Sequence, residues 1–431
     1  MVEGLVSRRS LLGAGAGLIA AMGLTPAAAQ VPGGSPRAGG AVIGDVRVER
    51  IGSYDAARFT TIGEDELRDF MSITTQPGGY VGRFPAARFG VTLYRVTYPS
   101  VIPELGNRPV MASGLVAVPD GAGAELPMVS YQHGTVFDRS YVPSQPENST
   151  ETRLALLAFA AQGYVVIGAD YFGRGSSDLP DSYLVKASTQ QATYDMLRAA
   201  RQVLAALGIT PGPLFLSGWS QGGWATMALL QKLESLGEPV AAAGVASGPM
   251  DISLLINRWL NNPQPVDASY LPAAVAMQIE AKAYYNQMPG IDAVAIEPAY
   301  LEVARAFYAG DIDYWDFAKR TPSTLADFIR QEFRDTIAAG QGAYWTLLDA
   351  SEVYRWRRKT PVRSWYGGKD EVTPPDLAKL PALAASITGG ARFEALDAGD
   401  EADHRGIYVY ALLAQKPWFD SLLGTSGQTR P

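Results

Sequence analysis

The sequence predicts an α/β protein: a mostly parallel sheet covered by helices on both faces, with a block of helices inserted late in the chain. Three observations carry that expectation. Short runs of β-branched and aromatic residues alternate with helix-spaced apolar residues from Val91 to Ser247, the pattern of parallel strands joined through covering helices. The alternation stops over residues 252–358, where Trp259, Met277, Tyr284, Phe307, Trp315 and Trp345 sit among helical spacings with no convincing strand. It resumes with a strand-like run at 362–366.

Taken in order, residues 91–98 and 110–118 read as strands separated by a turn containing Gly and Asn, and 128–132 as a short apolar strand ending at His133-Gly134-Thr135. Residues 154–161 read as helix, 164–169 as a buried strand, 189–207 as helix, 214–216 as strand, 224–236 as helix and 240–247 as strand. Beyond the insertion, 362–366 and 392–396 are strands, and 408–422 closes the chain as an amphipathic helix. There is no internal repeat. The expected organisation is a signal peptide over 1–29, a leader and N-terminal segment over 30–90, the first part of the core over 91–251, a helical cap or lid insertion over 252–358 and the second part of the core over 359–431.

The N-terminus reads as a targeting segment. Arg8-Arg9 precedes an apolar, Gly/Ala-rich run over 11–24, and Ala27-Ala28-Ala29 supplies small residues for cleavage. Paired arginines before such a run resemble a twin-arginine export signal. An ordinary secretory signal or an uncleaved anchor are the alternatives, and the run is short and weakly apolar for a spanning helix. The expected location is periplasmic or secreted, with no stable membrane insertion.

Composition narrows the chemistry. The 431 residues are 47% hydrophobic, enough for a large core, and the net charge of −7 argues against a nucleic-acid partner. With no cysteine, disulfides, thiolate nucleophiles and cysteine metal sites are excluded. With only His133 and His404 present, a multi-histidine metal centre is not expected. No cofactor is implied.

Gly218-Trp219-Ser220-Gln221-Gly222 matches G-x-S-x-G once in the chain, between a predicted strand and a predicted helix. That setting is what the motif needs, because a sharp strand-to-helix turn lifts the serine hydroxyl above the sheet edge. A Gly-rich turn without chemistry is the plain alternative. A serine hydroxyl needs a base, and His404 is the only histidine after Ser220, in the order Ser, acid, His that this arrangement follows. The acid candidate is Asp370, directly after the strand at 362–366, with Glu371, Asp397, Asp400 and Asp403 as rivals. Oxyanion donors are expected from the backbone N–H of Gln221 and of Thr135, Gly134 letting the loop approach closely. His133 is expected to hold that loop; as a base it would precede the serine.

Together these residues resemble the α/β-hydrolase superfamily. Tyr131-Gln132-His133-Gly134-Thr135, Ala169-Asp170-Tyr171-Phe172-Gly173-Arg174-Gly175 and Asp195-Met196-Leu197-Arg198-Ala199-Ala200 are similar to stretches of exported microbial esterases and secretory lipases. The resemblance covers roughly 91–247 and 360–422, not 41–90 or the insertion. It implies an α/β-hydrolase fold and acyl transfer to water through Ser220, His404 and Asp370. The implied substrate is a small-molecule or lipid-like carboxylic ester, bound under the insertion. A serine peptidase or amidase on the same fold, or an exported binding protein without activity, are the competing readings.

Overall fold

A computed structural model of the chain describes residues 40–72 and 82–424. The predicted signal peptide, and the leader as far as residue 39, lie outside the described residues.

Ten strands form one sheet: β1 (Ala41–Ile43), β2 (Val46–Tyr54), β3 (Val91–Ile102), β4 (Arg108–Pro119), β5 (Glu125–Gln132), β6 (Val165–Ala169), β7 (Thr210–Trp219), β8 (Ala242–Ala246), β9 (Val362–Tyr366) and β10 (Phe393–Asp397). Their order is β1-β2-β3-β4-β6-β5-β7-β8-β9-β10. From β6 to β10 every pairing is parallel, whereas β1 to β4 form an antiparallel flank that joins the parallel part at the β4–β6 pair. The structure thus adds two strands, β1 and β2, to a region the sequence left as leader and N-terminal segment.

Strand period two divides the core. Leu214 and Leu216 of β7, with Ala243 and Val245 of β8, enter one hydrophobic cluster; Phe215, Ala242 and Ala246 enter the other. The first is covered by α4 (Lys186–Ala206) and α5 (Gln221–Leu236), after α1 (Ala56–Thr61), α2 (Leu67–Ser72) and α3 (Thr150–Ala158) have been laid down. The second is covered by α2, α3 and the C-terminal helix, where Phe215 stacks on Phe419 at 4.5 Å. Each such buried aromatic contributes roughly 1.5–3 kcal/mol. A one-residue slip of β7 would exchange the two faces, so the register is tightly specified.

After β8 the chain leaves the sheet for α6 (Ile252–Asn261), α7 (Leu271–Tyr285), α8 (Ile291–Ala295), α9 (Leu301–Ala309), α10 (Tyr314–Arg320), α11 (Leu325–Phe328), α12 (Gln331–Ala338) and α13 (Gly342–Asp349). Among the described residues none of this block joins the sheet; a lone bridge pairs Ile296 with Ile329. The block departs and returns at one place. Val353 N–H donates to Met250 O at 2.9 Å, and Asp251, which caps α6, also accepts from Tyr354 and Arg355, each at 2.9 Å. It lies on the loops beyond the C-terminal strand ends: Trp259 donates to Val372 O (3.0 Å), Tyr285 to Pro180 O and Tyr308 to Asp181 O (both 2.6 Å). The sheet is completed around α14 (Pro375–Thr388) and α15 (His404–Leu423). Among the described residues no helix is long and apolar enough to cross a membrane.

Candidate active site

The loops that follow the parallel strands at their C-terminal ends converge, the position where open α/β sheets bind ligands. Ser220 stands between the last residue of β7 and the first of α5, at φ 58 and ψ −125, buried but for 6% of its surface. A left-handed φ on a non-glycine residue costs on the order of 1–3 kcal/mol and persists only where the surroundings enforce it. Here they do: Ser220 N–H donates to Ala246 O at 2.9 Å, and Ser220 O accepts from Gly223 and Trp224. The flanking glycines are obligatory. A Cβ on Gly218 would stand 2.2 Å from Gly222 O, and one on Gly222 would stand 1.9 Å from Gln132 O. The motif spacing therefore records two close backbone approaches, one inside the turn and one between the turn and the end of β5.

Asp370 follows β9 and His404 opens α15, and the two meet. His404 Nδ1 lies 2.9 Å from Asp370 Oδ1, both residues being buried. Asp370 Oδ1 also accepts from the N–H groups of Val372 and Thr373. The imidazole is held from its own backbone as well: His404 N–H donates to Glu371 (3.0 Å), and His404 O accepts from Trp219 Nε1 (2.9 Å). Burial alone would lower the His404 pKa, but the charge and hydrogen bond of Asp370, with the charge of Glu371, raise it above its ordinary value of 6.5.

Trp219 joins this pair to the turn, its ring 5.0 Å from that of His404. Among the described residues no hydrogen bond runs from the Ser220 hydroxyl to His404 in this arrangement. Three of the four rival acids are otherwise engaged. Asp403 caps α15 by accepting from Gly406 N–H, Asp397 accepts from Gly399 N–H, and Glu371 binds the His404 backbone rather than its ring.

The third part is the loop after β5. A Cβ on Gly134 would come within 3.3 Å of Trp219 O, so the loop lies directly against the turn. The N–H of Gly134 points inward, to Glu151 at 2.7 Å, and Thr135 Oγ1 bonds to Tyr183. Among the described residues the N–H groups of Thr135 and Gln221 have no acceptor, leaving both free for an anionic oxygen. His133 is enclosed: Nδ1 is 2.8 Å from Gly134 O, Nε2 is 3.3 Å from Asp170 O, and the ring stacks on Tyr171. Burial pushes its pKa down to about 4, so the ring is neutral and fixes the loop.

Two members of the site were not anticipated. Glu151, at the start of α3, accepts from Tyr131 and Gly134, and burial pushes its carboxyl up to about 7. Ser247, just after β8, is bonded to both Asp370 and His404. Neither carries a motif, because each acts through neighbours distant in the chain. From the insertion, Tyr270, Phe307 and Tyr314 gather around Phe137, two residues beyond Thr135, with Tyr314 stacked on it at 4.9 Å. A cavity of about 390 Å³ inside the block, lined by Met288, Ile291, Phe333, Ile337 and Tyr344 among others, does not reach Ser220.

A family model described as the Alpha/beta hydrolase family matches residues 133–410. No curated protein matches. Among solved structures, one described as a putative hydrolase from Legionella pneumophila superposes with a TM-score of 0.75 at 20% identity, covering 89% of this chain and 99% of that one. The rice cell wall degrading esterase LipA from Xanthomonas oryzae gives a TM-score of 0.69 at 21% identity, covering 88% and 96%. Candida antarctica lipase A gives 0.57 at 17% identity, covering 73% of each chain. Likenesses at this level of identity bear on the fold.

Proposed function

This chain belongs to the alpha/beta hydrolase family, and from that premise we propose that it hydrolyses carboxylic esters through an acyl-enzyme on Ser220. His404 takes the proton of Ser220 as the hydroxyl attacks the ester carbonyl, and returns it to the leaving alcohol. Asp370 holds the ring with its proton on Nδ1 and stabilises the imidazolium. The N–H groups of Gln221 and Thr135 receive the oxyanion of the tetrahedral intermediate. Water, deprotonated by His404, then releases the acid. No step calls on a cofactor. The observation that carries this reading is the strained Ser220 turn standing beside a buried Asp370–His404 pair at the same end of the sheet.

The esterase and lipase among the similar structures favour an ester over an amide, and the aromatic cluster around Phe137 favours an apolar acyl or alcohol group. The helical block over 252–358 is proposed as a cap whose inner face forms that pocket. A panel of p-nitrophenyl esters of increasing chain length, each paired with the matched anilide, tests the reading. Turnover of esters that exceeds that of anilides and vanishes in Ser220→Ala supports it; equal or greater anilide turnover makes the enzyme an amidase. Export by the twin-arginine route, with cleavage near Gln30, is proposed from Arg8-Arg9 and Ala27-Ala28-Ala29. N-terminal sequencing of the exported protein tests it, and an exported chain still beginning at Met1 contradicts it.

A further inference from the structure

We infer that Ser247 is a positioning residue of the proton-transfer apparatus, its hydroxyl clamping the Asp370 carboxylate to the His404 ring. The inference rests on the proposed roles of Ser220, His404 and Asp370. In the sheet, β8 lies between β7, which leads into Ser220, and β9, which leads into the Asp370 loop. The first residue beyond β8 therefore opens between nucleophile and acid, and that residue is Ser247, with no surface exposed.

Its backbone is pinned on both sides. Ser247 N–H donates to Trp365 O of β9 at 2.9 Å, and Ser247 O accepts from Thr373 Oγ1 at 3.1 Å. Its φ is 48, in the left-handed region that glycine occupies freely and serine does not. The strained position is thus occupied by a residue that brings a hydroxyl.

The proton arrangement follows from the distances. Ser247 Oγ donates to Asp370 Oδ2, which has no other donor among the described residues, and lies 2.8 Å from His404 Nδ1. Asp370 Oδ1 lies 2.9 Å from the same nitrogen. An ionised Asp370 accepts only, and the Ser247 proton is committed to Oδ2. His404 Nδ1 must then carry a proton shared between Asp370 Oδ1 and Ser247 Oγ, which leaves the Nε2 lone pair as the one that receives the Ser220 proton. Rotating or flipping the ring would break both bonds at once. Asp370 alone leaves the ring free to pivot about a single hydrogen bond; the Ser247 hydroxyl fixes the second direction.

The test separates this role from one of general support. Ser247→Ala and Ser247→Gly both remove the hydroxyl, and the glycine variant relieves the backbone, so at least one is expected to fold. Each is measured in the wild-type and His404→Ala backgrounds with a p-nitrophenyl ester. The expected result is a kcat about 10-fold or more lower, with KM within about twofold, in the wild-type background, and a change below about twofold where His404 is already gone. Equal losses in both backgrounds, or an unchanged kcat in both variants, overturn the inference. A second arm needs no substrate. The two histidines are distinguishable, since burial pushes His133 down to about 4 whereas Asp370 and Glu371 raise His404 above its ordinary value. The His404 titration midpoint and its downfield Nδ1 proton resonance, followed by NMR, are expected to move on removal of the hydroxyl; unchanged signals refute the clamp. Absence of ester turnover by the wild-type protein would count against the proposed function, whereas turnover and resonances indifferent to Ser247 count against this inference alone.

Discussion

Replacing Gly222 with alanine tests the oxyanion geometry without touching a reacting group. The new Cβ would stand 1.9 Å from Gln132 O, 2.6 Å from Gln132 C and 2.7 Å from His133 O, all backbone atoms at the end of β5. Ordinary contact begins near 3.4 Å, so the end of β5 must retreat by about 1.5 Å, or the helix start by the same amount. No flexible side chain is there to absorb it. Thr135 follows directly on that segment, and an oxyanion donor works at about 2.7–3.1 Å, so a displacement of this size removes it from range. Losing one such donor lowers kcat by roughly 10²–10³. Overpacking adds a stability loss of about 1–3 kcal/mol, visible as a lower Tm. The assay is kcat on a p-nitrophenyl ester beside a thermal melt. Gly237→Ala is the control: it ends the same helix at φ +73 with nothing within 4 Å of the new Cβ, so it strains the backbone and is expected to lower Tm while leaving kcat unchanged. A folded Gly222→Ala with kcat within about threefold of wild type would refute the reasoning, as would an equal kcat loss in Gly237→Ala.

Asp370→Asn is expected to lower kcat by roughly 10⁴, since the amide favours the wrong His404 tautomer, whereas Asp403→Asn is expected to leave kcat nearly unchanged and alter only Tm through the α15 cap; stopped-assay kinetics on both would show the reverse order if Asp403 were the acid. Because His404 must be neutral to accept a proton and its pKa is raised above 6.5, kcat/KM is expected to fall as pH drops through a value above 6.5, and Glu371→Gln, which removes one of the charges that raise it, is expected to move that limb toward lower pH; a limb that stays put contradicts the assignment. Shrinking Tyr270 or Phe307 to alanine is expected to change chain-length preference among p-nitrophenyl esters more than it changes Tm if the insertion caps the site, and an unchanged preference would turn the search to the core loops.

The sheet and the turn were legible because their signals are local. Alternation placed β9 at 362–366 to the residue, and G-x-S-x-G is itself a record of the contacts that Gly218 and Gly222 make. Asp370 emerged from its place after a strand, though it and its four rival carboxylates differ only in which atoms they reach, and that is a tertiary fact. β1 and β2 were not legible. β2 buries Val46 and Val48 between exposed charged residues, its pairing with β3 shifts register between Arg50 and Gly52, and β1 has three residues. Strands at and next to the sheet edge such as these take their structure from the partner more than from their own pattern. Ser247 and Glu151 were invisible for a related reason. Ser247 reaches Asp370 and His404 only because β8 lies against β9, and Glu151 reaches Gly134 only because α3 lies against the β5 loop; no spacing in the sequence encodes which elements are neighbours.

The most direct test of the account is where a fluorophosphonate attaches, read by mass spectrometry of the digested protein. The account predicts a single adduct on the peptide containing Ser220, loss of ester turnover in proportion to labelling, no adduct in Ser220→Ala, and much slower labelling in His404→Ala. An adduct on another residue with turnover lost, or full turnover after Ser220 has been labelled, would contradict it.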